Sequence, residues 1–244
     1  MKYFLVLLAG LGFTLESFSQ SSLYQSSAQL GLDRAANLYE QQLFAANLYD
    51  NTKLLATGLD LPQQKQAELQ RALSALQLDR PDGLGLIKKF VQDYSGQPDV
   101  ATAAIFLGDY YFFKNRYSEA IEAFALAPIG LVNKNSRSDV AFKQGYSYFQ
   151  LKDYAAAASY LDQVKELTIP LAADALYYSG YIAMEQGNNQ QAIRELQLAA
   201  KSEFYASKVP YLLTSLYYKE GNYAEAIGYA TPLLATGKSF DLQE

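Results

Sequence analysis

A phrase of about 34 residues returns along this chain, and any fold must accommodate it. Its clearest copy is Ala101 to Ala127, ATAAIFLGDYYFFKNRYSEAIEAFALA. The first half sets Ala104, Gly108 and Tyr111 at i, i+4, i+7, and the second half sets Tyr117, Ala120, Phe124 and Ala127 on one face in the same way. Both spacings follow a 3.6-residue period, so each half predicts an amphipathic helix and the pair predicts an antiparallel hairpin. Gly108 and Ala120 fall where the helices would cross, with Tyr111 and Phe124 filling the space beside them.

The same phase recurs at Ala141, Gly145, Tyr148, Tyr154, Ala157 and Leu161, then at Leu176, Gly180, Ala183, Ala192, Leu196 and Ala199, then at Leu213, Tyr217, Tyr223, Ala226 and Leu233. Upstream it is looser. Leu73, Ser74 and Phe90 hold their places, while in the first pair Ala35, Leu38, Phe44 and Leu54 are in phase and Asn47 stands where a small alanine is expected. Repeats starting near 28, 67, 101, 138, 173 and 207 are spaced by 39, 34, 37, 35 and 34 residues. The turn position carries Asn115, Lys152, Gly187 and Gly221, two of them glycines suited to positive φ.

The order L-G-x-x-Y followed by Y-x-x-A-x-x-x-F-x-x-A, here Leu107-Gly108, Tyr111, Tyr117, Ala120, Phe124 and Ala127, resembles the tetratricopeptide repeat. The resemblance implies an all-α, right-handed α-solenoid of about six antiparallel helix pairs, and a scaffold that binds a protein or extended peptide. From Lys88 to Phe124 the chain also resembles the envelope tetratricopeptide proteins of Gram-negative bacteria, including the Tol-Pal-associated and barrel-assembly families. Phe90, Tyr94, Leu107-Gly108, Tyr111, Tyr117 and Ala120-Ile121 carry that likeness. The barrel-assembly lipoproteins bear a lipid-anchored cysteine, and this chain has none.

Met1-Lys2 followed by thirteen uncharged residues, Tyr3 to Leu15, has the layout of a secretory signal peptide over 1–20, with a polar leader over 21–27. At 1.5 Å per residue that stretch covers about 20 Å, short of a bilayer core of about 30 Å. Export to the periplasm, the outer membrane or the medium is therefore expected, with no integral segment left after cleavage.

Composition excludes more than it selects. Without cysteine or histidine there is no Cys-His or Ser-His pair, no thiolate or HExxH metal site and no disulfide. No cofactor is expected, and no enzyme activity. A net charge of -5 with no basic run argues against nucleic acid. Scattered carboxylates such as Glu119, Glu122, Glu166 and Glu195 fall at exposed-looking helical positions, where nothing shifts their pKa.

In tetratricopeptide solenoids the concave surface is lined from positions 5, 9 and 12 of each repeat. Here these are Ile105, Asp109 and Phe112; Phe142, Tyr146 and Phe149; Tyr177, Tyr181 and Met184; Tyr211, Ser215 and Tyr218. Eight of the twelve are aromatic, which marks Phe112, Phe142, Tyr146, Phe149, Tyr177, Tyr181, Tyr211 and Tyr218 as candidate ligand-binding residues. Position 9 separates binding from inter-repeat packing best, so Tyr146 and Tyr181 lead. Asp109 is the one acid in the stripe, open to solvent or to a partner's donor. A glycan-binding module that stacks rings on sugars is the alternative, weakened by the lack of Trp; the N-terminal part of a larger helical-repeat enzyme is a third. After Thr236-Gly237-Lys238, Ser239 to Leu242 reads as another helix start, so the sixth repeat is expected to self-associate or to continue into further chain.

Overall fold

The computed structural model describes residues 27–127 and 134–236. The signal segment, nearly all of the leader, and the expected helix start at Ser239 lie outside them. The described residues form thirteen helices and no strand: α1 (27–40), α2 (Phe44–Leu54), α3 (Leu61–Gln77), α4 (Gly83–Asp93), α5 (Asp99–Phe113), α6 (Tyr117–Ala125), α7 (Lys134–Gln150), α8 (Tyr154–Lys165), α9 (Leu171–Glu185), α10 (Asn189–Ala199), a single turn α11 (Glu203–Ala206), α12 (Val209–Lys219) and α13 (Tyr223–Thr236). The chain forms two compact units, one up to Leu107 and one from Gly108.

One backbone device closes the hairpins. Gln42, Asp79, Asn115, Lys152, Gly187 and Gly221 all have positive φ, and each lies just past the first helix of a pair. The following residue donates its N–H back five positions, as in Arg116 to Tyr111 (2.8 Å), Asp153 to Tyr148 (3.0 Å), Asn188 to Ala183 (2.8 Å) and Asn222 to Tyr217 (2.9 Å). This is the Schellman ending, which satisfies carbonyls a helix end leaves open and reverses the chain within three residues. The next helix starts at once; at α8 the Asp153 carboxylate accepts from the Ala156 N–H at 3.1 Å.

Within the second unit the small residues do what their spacing predicts. A Cβ on Gly108 would overlap the ring of Phe124, one on Gly145 would stand 2.9 Å from Leu161 Cγ, and one on Gly180 would stand 2.8 Å from Leu196 Cγ. Phe124, Leu161 and Leu196 are all essentially fully buried. The aromatic or leucine of each second helix therefore fills the gap that the glycine opens in the first.

The first unit solves the same problem with polar atoms. Asn47 is fully buried: its Nδ2 donates to the Ala35 carbonyl (2.7 Å) and to Gln70 Oε1 (3.2 Å), and its Oδ1 accepts from Ser74 Oγ (2.7 Å). Ser74 itself occupies the glycine position of α3. The asparagine that looked out of place is thus the centre of a hydrogen-bonded core joining α1, α2 and α3.

Glu195 corrects an expectation. It is 8% exposed, and Lys165 Nζ reaches its Oε1 at 2.8 Å, with Gln191 donating to the same oxygen at 3.2 Å. The period sets it on a solvated face, but Lys165 at the end of α8 reaches that side and supplies the cation a buried carboxylate needs.

Candidate functional site

The aromatic stripe of the second unit is a continuous row of ring contacts. Phe112, at the end of α5, meets Tyr146 of α7 at 5.5 Å between centroids, and Tyr117 at the start of α6 meets the same ring at 5.9 Å. Tyr146 also contacts Phe142, Phe149 and, at 5.0 Å edge to face, Tyr178 of α9. Phe149 carries the row on to Tyr178 at 5.0 Å, to Tyr181 at 5.5 Å and to Tyr154 at 5.9 Å. Edge-to-face arrangements in this range are favoured by the ring quadrupole. All these rings are half-buried.

Of the candidate residues, Phe112, Phe142, Tyr146, Phe149 and Tyr181 come together in this row. Tyr177 joins it through Tyr178 at 5.3 Å. Tyr211 is half-buried on α12, and Tyr218 is 66% exposed and paired with Tyr223 at 5.5 Å, away from the others. Two rings that the positions left out prove central. Tyr178, at position 6, touches Phe142, Tyr146, Phe149 and Tyr177. Tyr205, on the short α11, is 4% exposed, stacks on Tyr177 at 4.5 Å and donates to Asp174 at 2.6 Å. The Tyr-Tyr doublet 177–178 was the available signal for the first; nothing in the repeat period marks the second.

Burial sets the electrostatics of the row. It pushes the phenol of Tyr178 well above its ordinary value, helped by Tyr146, and pushes that of Tyr205 up further together with the bond to Asp174. Tyr117, Tyr177 and Tyr181 are raised by burial too. These phenols are neutral hydrogen-bonding groups at any physiological pH.

Asp109 is neither solvated nor free. Lys143 Nζ binds its Oδ1 at 2.7 Å and Asp139 at 2.6 Å, and the same ammonium lies 5.6 Å from the centre of the exposed Phe113 ring. Burial alone would lower Lys143, yet the two carboxylates lift it above its ordinary value. The acid of the stripe is therefore spoken for by a lysine one helix pair on.

Helical hairpins with Schellman turns and a glycine-to-leucine or glycine-to-phenylalanine crossing define the class of helical-repeat scaffolds. The tetratricopeptide repeat family model matches residues 69–134 and 142–207, and the chain belongs to that family. Among solved structures it is similar to pilF of Pseudomonas aeruginosa, at 15% identity and TM-score 0.57 over 86% of this chain and 91% of that one. It is also similar to MamA AMB-1, at 19% identity and 0.53 over 69% and 95%, and to a further MamA structure at 20% and 0.56 over 74% and 94%. At these identities the likeness is one of fold. No curated protein matches the sequence. Among the described residues no helix is long and apolar enough to cross a membrane, and no group of acidic side chains could hold a metal.

Proposed function

We propose that this chain is a non-enzymatic, exported scaffold of the bacterial cell envelope that holds a protein or extended peptide against the aromatic row. The row itself carries the proposal. In this unit neighbouring first helices meet through a run of tyrosines and phenylalanines, each half-buried rather than enclosed, and a chain of partly exposed rings is a feature of binding surfaces. Aromatic side chains give large contact area at small entropy cost, as interface anchors require. Self-association through the sixth pair belongs to the same proposal, since Ile227 and Leu234 are 65% and 82% exposed on α13.

Tyr146 touches five rings, so its truncation would disturb the fold as well as the surface. The test therefore uses Tyr181→Ala, whose ring meets the row only at Phe149, beside Tyr146→Phe, which keeps the ring and removes only the hydroxyl. Capture from envelope fractions is expected to fall with Tyr181→Ala while amide exchange of α7 stays unchanged. Undiminished capture by that variant would refute the assignment, and binding to a glycan array with no protein captured would replace it with sugar recognition.

A further inference from the structure

A second recognition site lies in the first unit, apart from the aromatic row and independent of the proposal built on it. A crevice of about 440 Å³ opens between α2, α3 and α4, within the range of small-molecule sites. Its apolar walls are Ala45, Leu48, Leu78 and Leu86, with Tyr49 and Thr52 beside them. Its charges are Arg71, Arg80 and Asp82.

These three charges are unequal. Arg80 is committed: its Nε donates to Asp82 Oδ1 at 3.0 Å, and that contact holds the Asp82 carboxyl below its ordinary range. Arg71 projects from α3 with its Nε buried and without a hydrogen-bond partner among the described residues. A buried guanidinium N–H with an unmade bond is costly, and the one carboxylate of the lining, Asp82, feels Arg71 only through space while it accepts from Arg80. Because that Nε is itself shut off from solvent, an incoming acceptor meets the part of the guanidinium that lines the crevice, preferably as a charged group that fits its planar fork.

The balance of charge narrows that acceptor. Two guanidiniums and one carboxylate leave the lining with a single net positive charge, which one carboxylate neutralises and a phosphate dianion overshoots. Three leucines beside it ask for an apolar body on the same ligand. At Gly83 a Cβ would stand 2.8 Å from the Ala75 backbone, so the start of α4 packs closely on the end of α3. Tyr49, 59% exposed, borders the opening.

We propose that this crevice binds a monocarboxylate with an apolar body, its carboxylate on Arg71 and its chain against Leu48, Leu78 and Leu86. The acid arrives either as a free aliphatic acid or as the C-terminal residue of a peptide.

The test follows the Arg71 Nε–Hε resonance of the ¹⁵N-labelled chain during titration with sodium hexanoate. For a ligand of so few atoms, half-saturation is expected in the millimolar range. Hexanamide, isosteric and neutral, should leave the resonance in place, and Arg71→Gln should weaken hexanoate binding at least about tenfold. An N-acetylated tripeptide ending in leucine, as free acid and as amide, separates the sources: tighter binding of the peptide acid points to a chain terminus, tighter binding of hexanoate to a free acid. If Arg71→Gln does not fold, the wild-type resonance decides, together with Arg80→Gln, which leaves Asp82 unneutralised and should weaken hexanoate. Equal binding of hexanoate and hexanamide, stronger binding of inorganic phosphate, or an unmoved Arg71 resonance would each overturn the proposal.

Discussion

Replacing glycine by alanine should change stability in opposite directions at different places in this chain. In the middle of a helix the substitution gains about 1 kcal/mol from backbone entropy and solvation alone. At Gly85 in α4 and Gly228 in α13 no described atom lies within 4 Å of the new Cβ, so that gain is expected nearly whole at Gly228 and in part at Gly85, which lies in the first turn of its helix. At Gly108 the Cβ would overlap two ring atoms of Phe124 and stand 2.8 Å from a third. A carbon pair is at rest near 3.5 to 4.0 Å, and Phe124 is 1% exposed, walled in on every side. Overpacking of this kind costs about 1–3 kcal/mol, here at the upper end, which leaves a net loss of about 2 kcal/mol. Gly145 and Gly180 meet leucine Cγ atoms at 2.9 and 2.8 Å with a backbone atom at 3.3 Å beside each, and both leucines are fully buried, so a smaller net loss of about 1 kcal/mol is expected there. Urea melts followed by circular dichroism give the ranking, and amide exchange in α6 and α13 shows where each change acts, because repeat arrays need not unfold as one unit. If Gly108→Ala is as stable as the parent while Gly228→Ala gains, the close crossing of α5 and α6 is not what the spacing implies.

Asn47→Ala restores the small residue the family pattern favours, yet it should cost about 2–3 kcal/mol in a urea melt, since Ser74, Gln70 and the Ala35 carbonyl lose their shared partner inside the core. Lys152→Gly, at a φ of 61°, should stabilise by about 0.5–1 kcal/mol by removing the left-handed penalty, net of the glycine entropy; an unchanged melt would mean the penalty is already relieved. Alkali should unfold the protein through its phenols. Tyr94 is raised to about 12 by burial and its bond to Glu68, and Tyr178 and Tyr205 lie higher still. A raised folded value favours the protonated form, so this stability is complete below the ordinary value of 10.0 and is lost as pH rises through the elevated ones. A tyrosinate absorbance titration should show a late class of phenols that ionise only with loss of helix, and a single class at ordinary pH would contradict the burial of the row.

The helical hairpins were legible because two constraints act on the same residues. Gly108, Gly145 and Gly180 must be small, and Phe124, Leu161 and Leu196 must be large, so neither can drift without the other. Asn115, Lys152, Gly187 and Gly221 were legible as turns because position, more than residue type, dictates the conformation, as the lysine shows. Contacts between consecutive pairs were not legible. Tyr178 becomes the hub because α9 packs against α7, Glu195 finds Lys165 on the preceding pair, and Asp109 finds Lys143 a full repeat away. None of these follows from a period that describes each pair by itself. Tyr205 depends on α11, a turn added between pairs and invisible to the repeat.

The ring row also has an optical consequence. The chain contains 21 tyrosines and no tryptophan, and the rings from Phe112 to Tyr205 stand 4.5 to 6.4 Å apart. Dipolar energy transfer falls with the sixth power of distance, so at such spacings excitation migrates among the phenols before any one of them emits. A single tryptophan brought against this face would act as a sink for the whole row, and an unlabelled partner would announce its docking by converting tyrosine emission into its own.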